Sequence, residues 1–330
     1  MRAPAFWWQP PGLVARLLAP VAALWGGLAA RRMGQPGRRL PVPVICIGNF
    51  VAGGAGKTPT AIAVAGLARQ AGHHPVFLTR GYGGRLEGPI RVDPAIHGAA
   101  DVGDEPLLLA RHGPVILARR RAEAADLVAA AGASLVVMDD GFQNPSVDKD
   151  LSLVVVDAGR GLGNGRVIPA GPLRAPLGLQ AAKADAVVLV GEGAPGQAAA
   201  GQLAAMDCRV LRARLVFGEG LPAAGIPLVA FAGIGDPEKF FGQLRGEGHV
   251  LAAAVAFPDH HVFTDAEAAG LIGTACKAGA QLVTTEKDHL RLAGAAGRCA
   301  ELHAAARPIP VRLVFDDPAA VSGLLAGLGA

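Results

Sequence analysis

Short runs of consecutive apolar residues, each closed by a glycine-rich or charged turn and followed by a helical stretch, recur along the chain. Residues 44–47, 75–78, 115–118, 135–138, 153–156 and 185–190 read as strands buried on both faces, because their apolar runs do not alternate with polar positions. Between them, 58–71, the stretch from Asp104 through Arg111, and a stretch ending at Ala131 read as helices, the last preceded by Arg119, Arg120 and Arg121 at the strand's exit. Strands alternating with helices predict a parallel sheet in an α/β fold. Residues 160–176 read as a long ordered loop, and 191–200 as a surface connection. The pattern then restarts. Residues 211–217 and 227–231 read as extended segments joining two lobes, 250–257, 282–284 and 311–315 as strands of a second lobe, and 264–278 as a helix. The expected organisation is an amino-terminal region at 1–40, a first domain at 41–211, a linker at 212–226 and a smaller α/β domain at 227–330.

The amino terminus departs from this alternation. Residues 10–30 are nearly all apolar, with Arg16 inside and Arg31 and Arg32 after. At helical spacing, Val14, Leu17, Leu18, Val21, Leu24, Trp25 and Leu28 share one face, while Arg16, Ala19, Ala23, Gly27 and Ala30 share the other. Large side chains opposite small ones predict an amphipathic helix lying in a membrane interface. A spanning helix and a helix packed on its own domain are the alternatives. Phe6, Trp7 and Trp8 are expected at headgroup depth, and Arg16, Arg31, Arg32, Arg38 and Arg39 against anionic lipid.

Composition narrows the class. The chain has 330 residues, is 51% hydrophobic and 18% charged with 46 glycines, and so reads as a folded α/β protein long enough for two domains. Its formal charge of +4 comes with one tyrosine and no basic run interleaved with aromatics, which argues against nucleic-acid binding and fits a membrane surface or a phosphorylated substrate. Cys46, Cys208, Cys276 and Cys299 have neither metal-ligand nor disulfide-framework spacing and suit a reducing compartment.

The chemistry concentrates at residues 43–60, PVICIGNFVAGGAGKTPT, where a strand enters a glycine-rich turn (49–56) and then a helix. Such a turn aims backbone N–H groups and a helix N-terminus at phosphate oxygens, with Lys57 as a mobile cation and Thr58 as a hydroxyl for phosphate-bound Mg²⁺. The usual phosphate-loop pattern has Gly where this chain has Val51. A P-loop NTPase-like sheet domain is therefore expected. Asp139 and Asp140, at the end of an apolar strand, read as carboxylates that organise Mg²⁺. Adjacent strand side chains point to opposite faces, so one of the two ligates unless the chain turns at Asp140. Arg80 and Tyr82 fall at the carboxyl edge of the sheet, and Arg166 and Arg174 lie in the long loop, where they can meet phosphate. These parts suit an ATPase, a GTPase or a kinase alike. A kinase also needs a proton acceptor, and Asp104 and His260, each at a strand-to-helix junction, are candidates.

Eight stretches, in order along the chain, carry a resemblance: GNFVAGGAGKTP at 48–59, TRGYGG at 79–84, DVGDEP at 101–106, VVMDDGFQ at 136–143, IPAGPLR at 168–174, FAGIGDP at 231–237, FPDHHVF at 257–263 and TTEKD at 284–288. Together they resemble the tetraacyldisaccharide 4'-kinases, lipid A pathway enzymes of Gram-negative bacteria whose phosphate loop is atypical. The resemblance implies transfer of the ATP γ-phosphate to the 4'-hydroxyl of a tetraacylated glucosamine disaccharide 1-phosphate, by a monotopic enzyme at the cytoplasmic face of the inner membrane. It implies Asn49, Gly53, Gly54, Gly56, Lys57, Thr58 and Arg174 as nucleotide-binding residues, Thr58, Asp139 and Asp140 at Mg²⁺, and Arg80, Arg121 and Gln143 facing substrate or nucleotide. Lys57 also acts in catalysis on this reading, Asp104 takes the hydroxyl proton, and His260 supports it. The chain departs from the family at Ala175, where GPLR is commonly followed by a Glu implicated in the metal site. Either Mg²⁺ carries one more water here, or a neighbouring carboxylate substitutes. His289 also replaces a more usual small residue.

Overall fold

The structure is a computed structural model describing residues 3–223 and 225–328. Two sheets organise it. The strands in chain order are β1 (Val44–Asn49), β2 (Pro75–Thr79), β3 (Ile90–Arg91), β4 (Val115–Leu117), β5 (Leu135–Asp139), β6 (Leu151–Asp157), β7 (Ala186–Val190), β8 (Arg209–Phe217), β9 (Leu228–Ala232), β10 (Leu251–Ala256), β11 (Gln281–Thr285), β12 (Arg307–Ile309) and β13 (Val311–Phe315). Nine of them form the large sheet in the order β13-β8-β7-β6-β1-β5-β2-β4-β3, and four form the small sheet, β10-β9-β11-β12.

From β8 to β4 the large sheet is parallel, and only its edge strands β13 and β3 run antiparallel. The strand runs expected from unbroken apolar stretches are buried along their length because both faces are covered. Ile45, Ile47, Val137 and Val155 pack on one side against Ala61, Val64 and Ala68 of the helix Lys57–Gln70 and against Val321 and Leu325 near the carboxyl terminus. Cys46, Val136, Met138 and Val154 pack on the other side, with Met33, Leu40, Ala181 and Leu203. β1 lies between β5 and β6, yet the chain leaves it for β2, so the direction of winding changes at β1. Open α/β sheets offer a crevice at the carboxyl ends of strands at such a place.

Three expectations are corrected. Residues 212–217, expected as the start of the linker, belong to β8, a full member of the large sheet paired with β7 and β13. Residues 311–315 do not close the second lobe; they return to the first sheet as β13. The small sheet is thus built from chain inserted between two neighbouring strands of the large one. Within the segment expected as the linker, Ala224 lies outside the described residues. Residues 191–200 are mostly helix, Ala194–Ala204, whose small residues Gly196, Ala199 and Ala200 and whose Leu203 are buried.

The amino-terminal helix forms in two pieces, Leu13–Leu17 and Ala19–Met33, with Pro20 in the first turn of the second, where its missing N–H costs little. Its large apolar face is open: Leu13, Leu17, Leu24 and Leu28 are 72%, 71%, 73% and 67% exposed. The inward face differs from the expected one: Ala15, Ala22 and Gly26 are buried, with Gly26 against Pro176, whereas Arg16, Ala23 and Gly27 of the expected small face are exposed. Among the described residues no helix is long and apolar enough to cross a membrane. Trp7 and Trp8, expected at headgroup depth, are half-buried against the protein itself. Trp7 Nε1 donates to the Pro169 carbonyl at 3.0 Å, and Trp8 sits under the Arg160 guanidinium, 5.2 Å away, because the 160–170 loop straps this segment down.

A close approach fixes β1 to the chain after β5. A Cβ at Gly48 would stand 2.3 Å from Phe142 Cβ, inside any real contact. Gly48→Ala is therefore expected to overpack this junction and cost about 1–3 kcal/mol. The check is a lower urea midpoint at an unchanged slope; an unaltered midpoint would mean that Phe142 yields freely.

Candidate active site

Strand β1 delivers the chain to the glycine turn at the crevice. Gly56, at φ +87° and immediately before the helix Lys57–Gln70, takes a left-handed conformation that a side chain would strain. Gly53 and Gly54 leave open space where side chains would stand, so their backbone is free to approach a ligand. Asn49 shapes this turn from inside: it is buried, and its Nδ2 donates to the Gly53 carbonyl at 3.0 Å. It therefore supports the loop instead of facing a nucleotide. Val51 pairs with Leu173 in an isolated bridge, and its carbonyl accepts from Arg174 Nε at 3.2 Å. The position where other phosphate loops carry Gly is here tied to the 160–176 loop.

Strand β5 brings Asp139 beneath the first turn of that helix, where Asp139 Oδ2 accepts from Thr58 Oγ1 at 3.0 Å. Both residues are buried, and Asp139 Oδ1 has no hydrogen-bond partner. Burial first, then the charge of Glu105, pushes the Asp139 carboxyl up to about 7. Among the described residues no three His, Cys, Asp or Glu side chains form a metal cage. A hydroxyl and an orphaned carboxylate oxygen, side by side, nevertheless fit an ion that keeps several waters and borrows phosphate oxygens, as Mg²⁺ does. Neither alternative carboxylate is free. Asp140 is engaged by arginine and lysine, and Glu105 is held by Lys287 at 2.7 Å. At Ala175 only the backbone contributes, its carbonyl accepting from Gln180 Nε2 at 2.7 Å.

Asp140 turns out of the strand at φ 53°, which frees its side chain from strand alternation. Its carboxylate meets Arg174 Nη1 at 3.0 Å and Lys57 Nζ at 3.8 Å. Burial works to raise its pKa, but Lys57 and Arg174 prevail and hold it below the usual range. Arg121 differs from expectation: it is buried behind the site, donating from Nη2 to the Asp140 carbonyl at 2.6 Å. It braces this turn and does not line the crevice. Gln143 does line it, with Nε2 shared between the Asn49 carbonyl (2.7 Å) and Gln180 Oε1 (2.8 Å). Arg80 also lines it, exposed, with its guanidinium 5.4 Å from the Tyr82 ring.

The second lobe closes over these groups and leaves a cavity of about 1010 Å³. Its walls include Lys57, Arg174, His260, Lys287, and Trp25 and Leu28 of the amino-terminal helix. Asp104, the first residue of the helix Asp104–Ala110, is only 3% exposed and is not part of the wall. Its Oδ1 lies 3.3 Å from His260 Nδ1, so the two are brought together from different lobes. Its Oδ2 accepts from Arg291 Nε at 2.9 Å and from Nη2 at 2.5 Å. Burial opposes ionisation of Asp104, but His260, Lys287 and Arg291 outweigh it and hold the carboxyl well below its ordinary value. Asp104 is thus sealed from the cavity, and of the pair it is His260 that meets the cavity. Donating a hydrogen bond to the Asp104 carboxylate raises the His260 pKa against the opposing effect of burial.

Arg291 and the Glu105–Lys287 pair were not among the expected site residues. The available signal was local: Arg291 follows Asp288 by three positions on the helix Glu286–Leu292, a spacing that pairs them, here at 2.6 Å. His289, by contrast, packs away from the site on His303, at 4.1 Å between ring centroids.

Comparison with known proteins gives a consistent result. The family profile described as Tetraacyldisaccharide-1-P 4'-kinase matches residues 14–328. The chain is 54% identical over 328 residues to the Tetraacyldisaccharide 4'-kinase of Bradyrhizobium sp. (strain ORS 278), covering 99% of this chain and 97% of that protein. It is 54% identical over 334 residues to the enzyme of the same name from Methylobacterium nodulans, covering 100% and 97%. Its fold is similar to that of LpxK from Aquifex aeolicus, solved in complex with ATP, with a TM-score of 0.73 at 24% identity, over 96% of this chain and 99% of that one. With a profile spanning almost its full length and relatives above half identity, this chain belongs to the tetraacyldisaccharide-1-P 4'-kinase family.

Proposed function

We propose that this chain transfers the terminal phosphate of ATP to the 4'-hydroxyl of a tetraacylated glucosamine disaccharide 1-phosphate, giving the bisphosphorylated lipid A precursor. The observation that carries this reading is a single cavity lined at once by a phosphate loop, by a histidine backed by a carboxylate, and by the helix that bears an exposed apolar face. Glycine-turn amides and Lys57 bind the polyphosphate, and Arg174 and Arg80 add positive charge where the triphosphate and the sugar phosphate enter. Thr58 and Asp139 would hold Mg²⁺, with Asp140 beside them, and the ion supplies charge neutralisation for the transferring phosphoryl group. With Ala175 contributing no carboxylate, the side chains that would hold the ion here are those of Thr58 and Asp139. The Asp104–His260 pair orients the acceptor hydroxyl and takes its proton.

The acceptor's chemistry accounts for the amino-terminal helix. Drawing four acyl chains into water costs about 0.8 kcal/mol per CH₂, so the sugar is best reached from the bilayer surface. We infer that the open face of Leu13, Leu17, Leu24 and Leu28 lies in the interface of the cytoplasmic leaflet of the inner membrane, with Arg16, Arg31 and Arg32 near anionic headgroups. The enzyme is then peripheral or monotopic, and nucleic acid has no place in its function.

Incubating purified protein with Mg-ATP and the disaccharide monophosphate in detergent is expected to give the bisphosphorylated product. ATP hydrolysis that ignores the lipid, with no such product, would overturn the reading. Lys57→Ala is expected to lower kcat by about 100-fold or more, the usual effect of removing one stabilising cation or donor; wild-type turnover would remove Lys57 from the phosphate site. The combined change Leu13→Glu, Leu17→Glu and Leu24→Glu leaves the cavity wall untouched. It is expected to weaken co-sedimentation with anionic vesicles by about 100-fold or more, since each buried leucine contributes roughly 1.5–3 kcal/mol. Equal partitioning would place the membrane contact elsewhere.

A further inference from the structure

One guanidinium reaches both halves of the proton-handling pair. Arg291 Nε and Nη2 occupy Asp104 Oδ2 from across the lobe boundary. Its Nη1 donates to the Gly233 carbonyl at 2.7 Å, and that same carbonyl accepts the backbone N–H of His260 at 3.0 Å. His260 needs this anchor because it stands at φ 55°, a conformation that non-glycine residues adopt only when held. Asp288 completes the clamp: Oδ1 takes Arg291 Nη1 at 2.6 Å, and both its oxygens accept the Gly233 N–H, at 3.1 and 3.0 Å. On its other flank the imidazole meets the Tyr82 ring at 4.9 Å between centroids.

We propose that Arg291 is a positioning residue for phosphoryl transfer: by occupying Asp104 Oδ2 and holding the Gly233 carbonyl it presents Asp104 Oδ1 alone to His260 Nδ1, and so makes Nε2 of the ring the proton-accepting atom. The inference rests on the kinase reading above. A carboxylate oxygen only accepts, so in the neutral ring Nδ1 carries the hydrogen and Nε2 keeps its lone pair. Asp259 Oδ1, 3.8 Å from Nε2, stands outside hydrogen-bond reach. In the reaction, the 4'-oxygen bonds to the γ-phosphorus, the bond from that phosphorus to the bridging oxygen of ADP breaks, and the hydroxyl proton passes to Nε2 and then to solvent. An arginine is required because a single fork must span acceptors on two lobes; an ammonium meets one of them.

The role separates from plain lobe bridging through the pH profile. His260 accepts a proton only when neutral, so activity rises with pH as the ring loses its charge. The charged and titratable groups facing it are Asp104, Asp259, Arg291 and the Tyr82 phenol, and Lys287, Glu105 and Asp288 surround Asp104. Removing the Arg291 charge favours the imidazolium and moves this limb to higher pH.

The test measures kcat, KM for ATP and the pH profile with the disaccharide monophosphate for wild type, Arg291→Ala, Arg291→Lys and His260→Gln. For Arg291→Ala the expected result is a kcat at least about 10-fold lower at neutral pH, a KM for ATP within about twofold, and an acidic limb shifted upward by about half a unit or more. Arg291→Lys keeps the limb near its wild-type place and still loses kcat, while His260→Gln removes the limb. A wild-type kcat and limb in Arg291→Ala, or in Arg291→Lys if the alanine variant does not fold, would overturn the positioning role. If wild type itself makes no bisphosphorylated product, it is the kinase reading that fails.

Discussion

A carboxylate placed where water cannot reach it needs a positive partner, and Asp139 has only a hydroxyl. Thr58 satisfies one oxygen and the other is left bare, at the point where the helix following the glycine turn meets the end of β5. The folded pKa is raised above the ordinary carboxylate value, so the cost of this burial grows as pH rises from that value through about 7, and below the ordinary value it disappears. A cation bound at the site removes that cost. The neighbouring arrangement serves the same end: Asp140 is turned away onto Arg174 and Lys57, and Glu105 onto Lys287, so that a concentration of negative charge is already balanced everywhere except at the one oxygen left for a ligand.

The same economy holds the lobes together. Asp104–Arg291, Glu105–Lys287, Arg160–Asp236 and Asp157–Lys239 all join the large-sheet domain to the inserted one. The more exposed of these pairs contribute little, but in Asp104–Arg291 the side chains are only 2% and 9% exposed, and removing one partner of a buried pair typically costs about 3–5 kcal/mol. The contact that sets proton chemistry is therefore also the one most sensitive to how the lobes sit. Stability and function draw on one guanidinium.

How much of this could be read from sequence follows from what kind of signal each feature leaves. Central strands such as β1, β5 and β6 were legible because burial on both faces demands unbroken apolar runs. The phosphate loop was legible because GGAGKT between a strand and a helix has a mechanical meaning. Partner choice among strands leaves no such mark: β8 alternates buried and exposed positions, which fits an edge of either sheet, so its place beside β7 and β13 could not be told from a linker. Helix Ala194–Ala204 buries only small residues along most of its inner face and gave no apolar stripe. At the site, residue types were found but not their directions. Arg121 and Asn49 carry polar side chains in the right motifs, yet both turn inward to brace backbone, a distinction that only the fold supplies.

The return of β13 to β8 has a consequence for synthesis. β8 emerges from the ribosome with one side unpaired, and its partner is not made until nearly a hundred residues later, after the whole inserted lobe. During that interval a strand edge with unpaired backbone groups stands ready to pair with other chains, the condition that favours aggregation, and the exposed Arg212 and Arg214 are charges of the kind that discourage it. Prompt folding of the inserted lobe brings its two ends together and shortens the exposure, so the nascent large sheet depends on a neighbour that it does not itself contain.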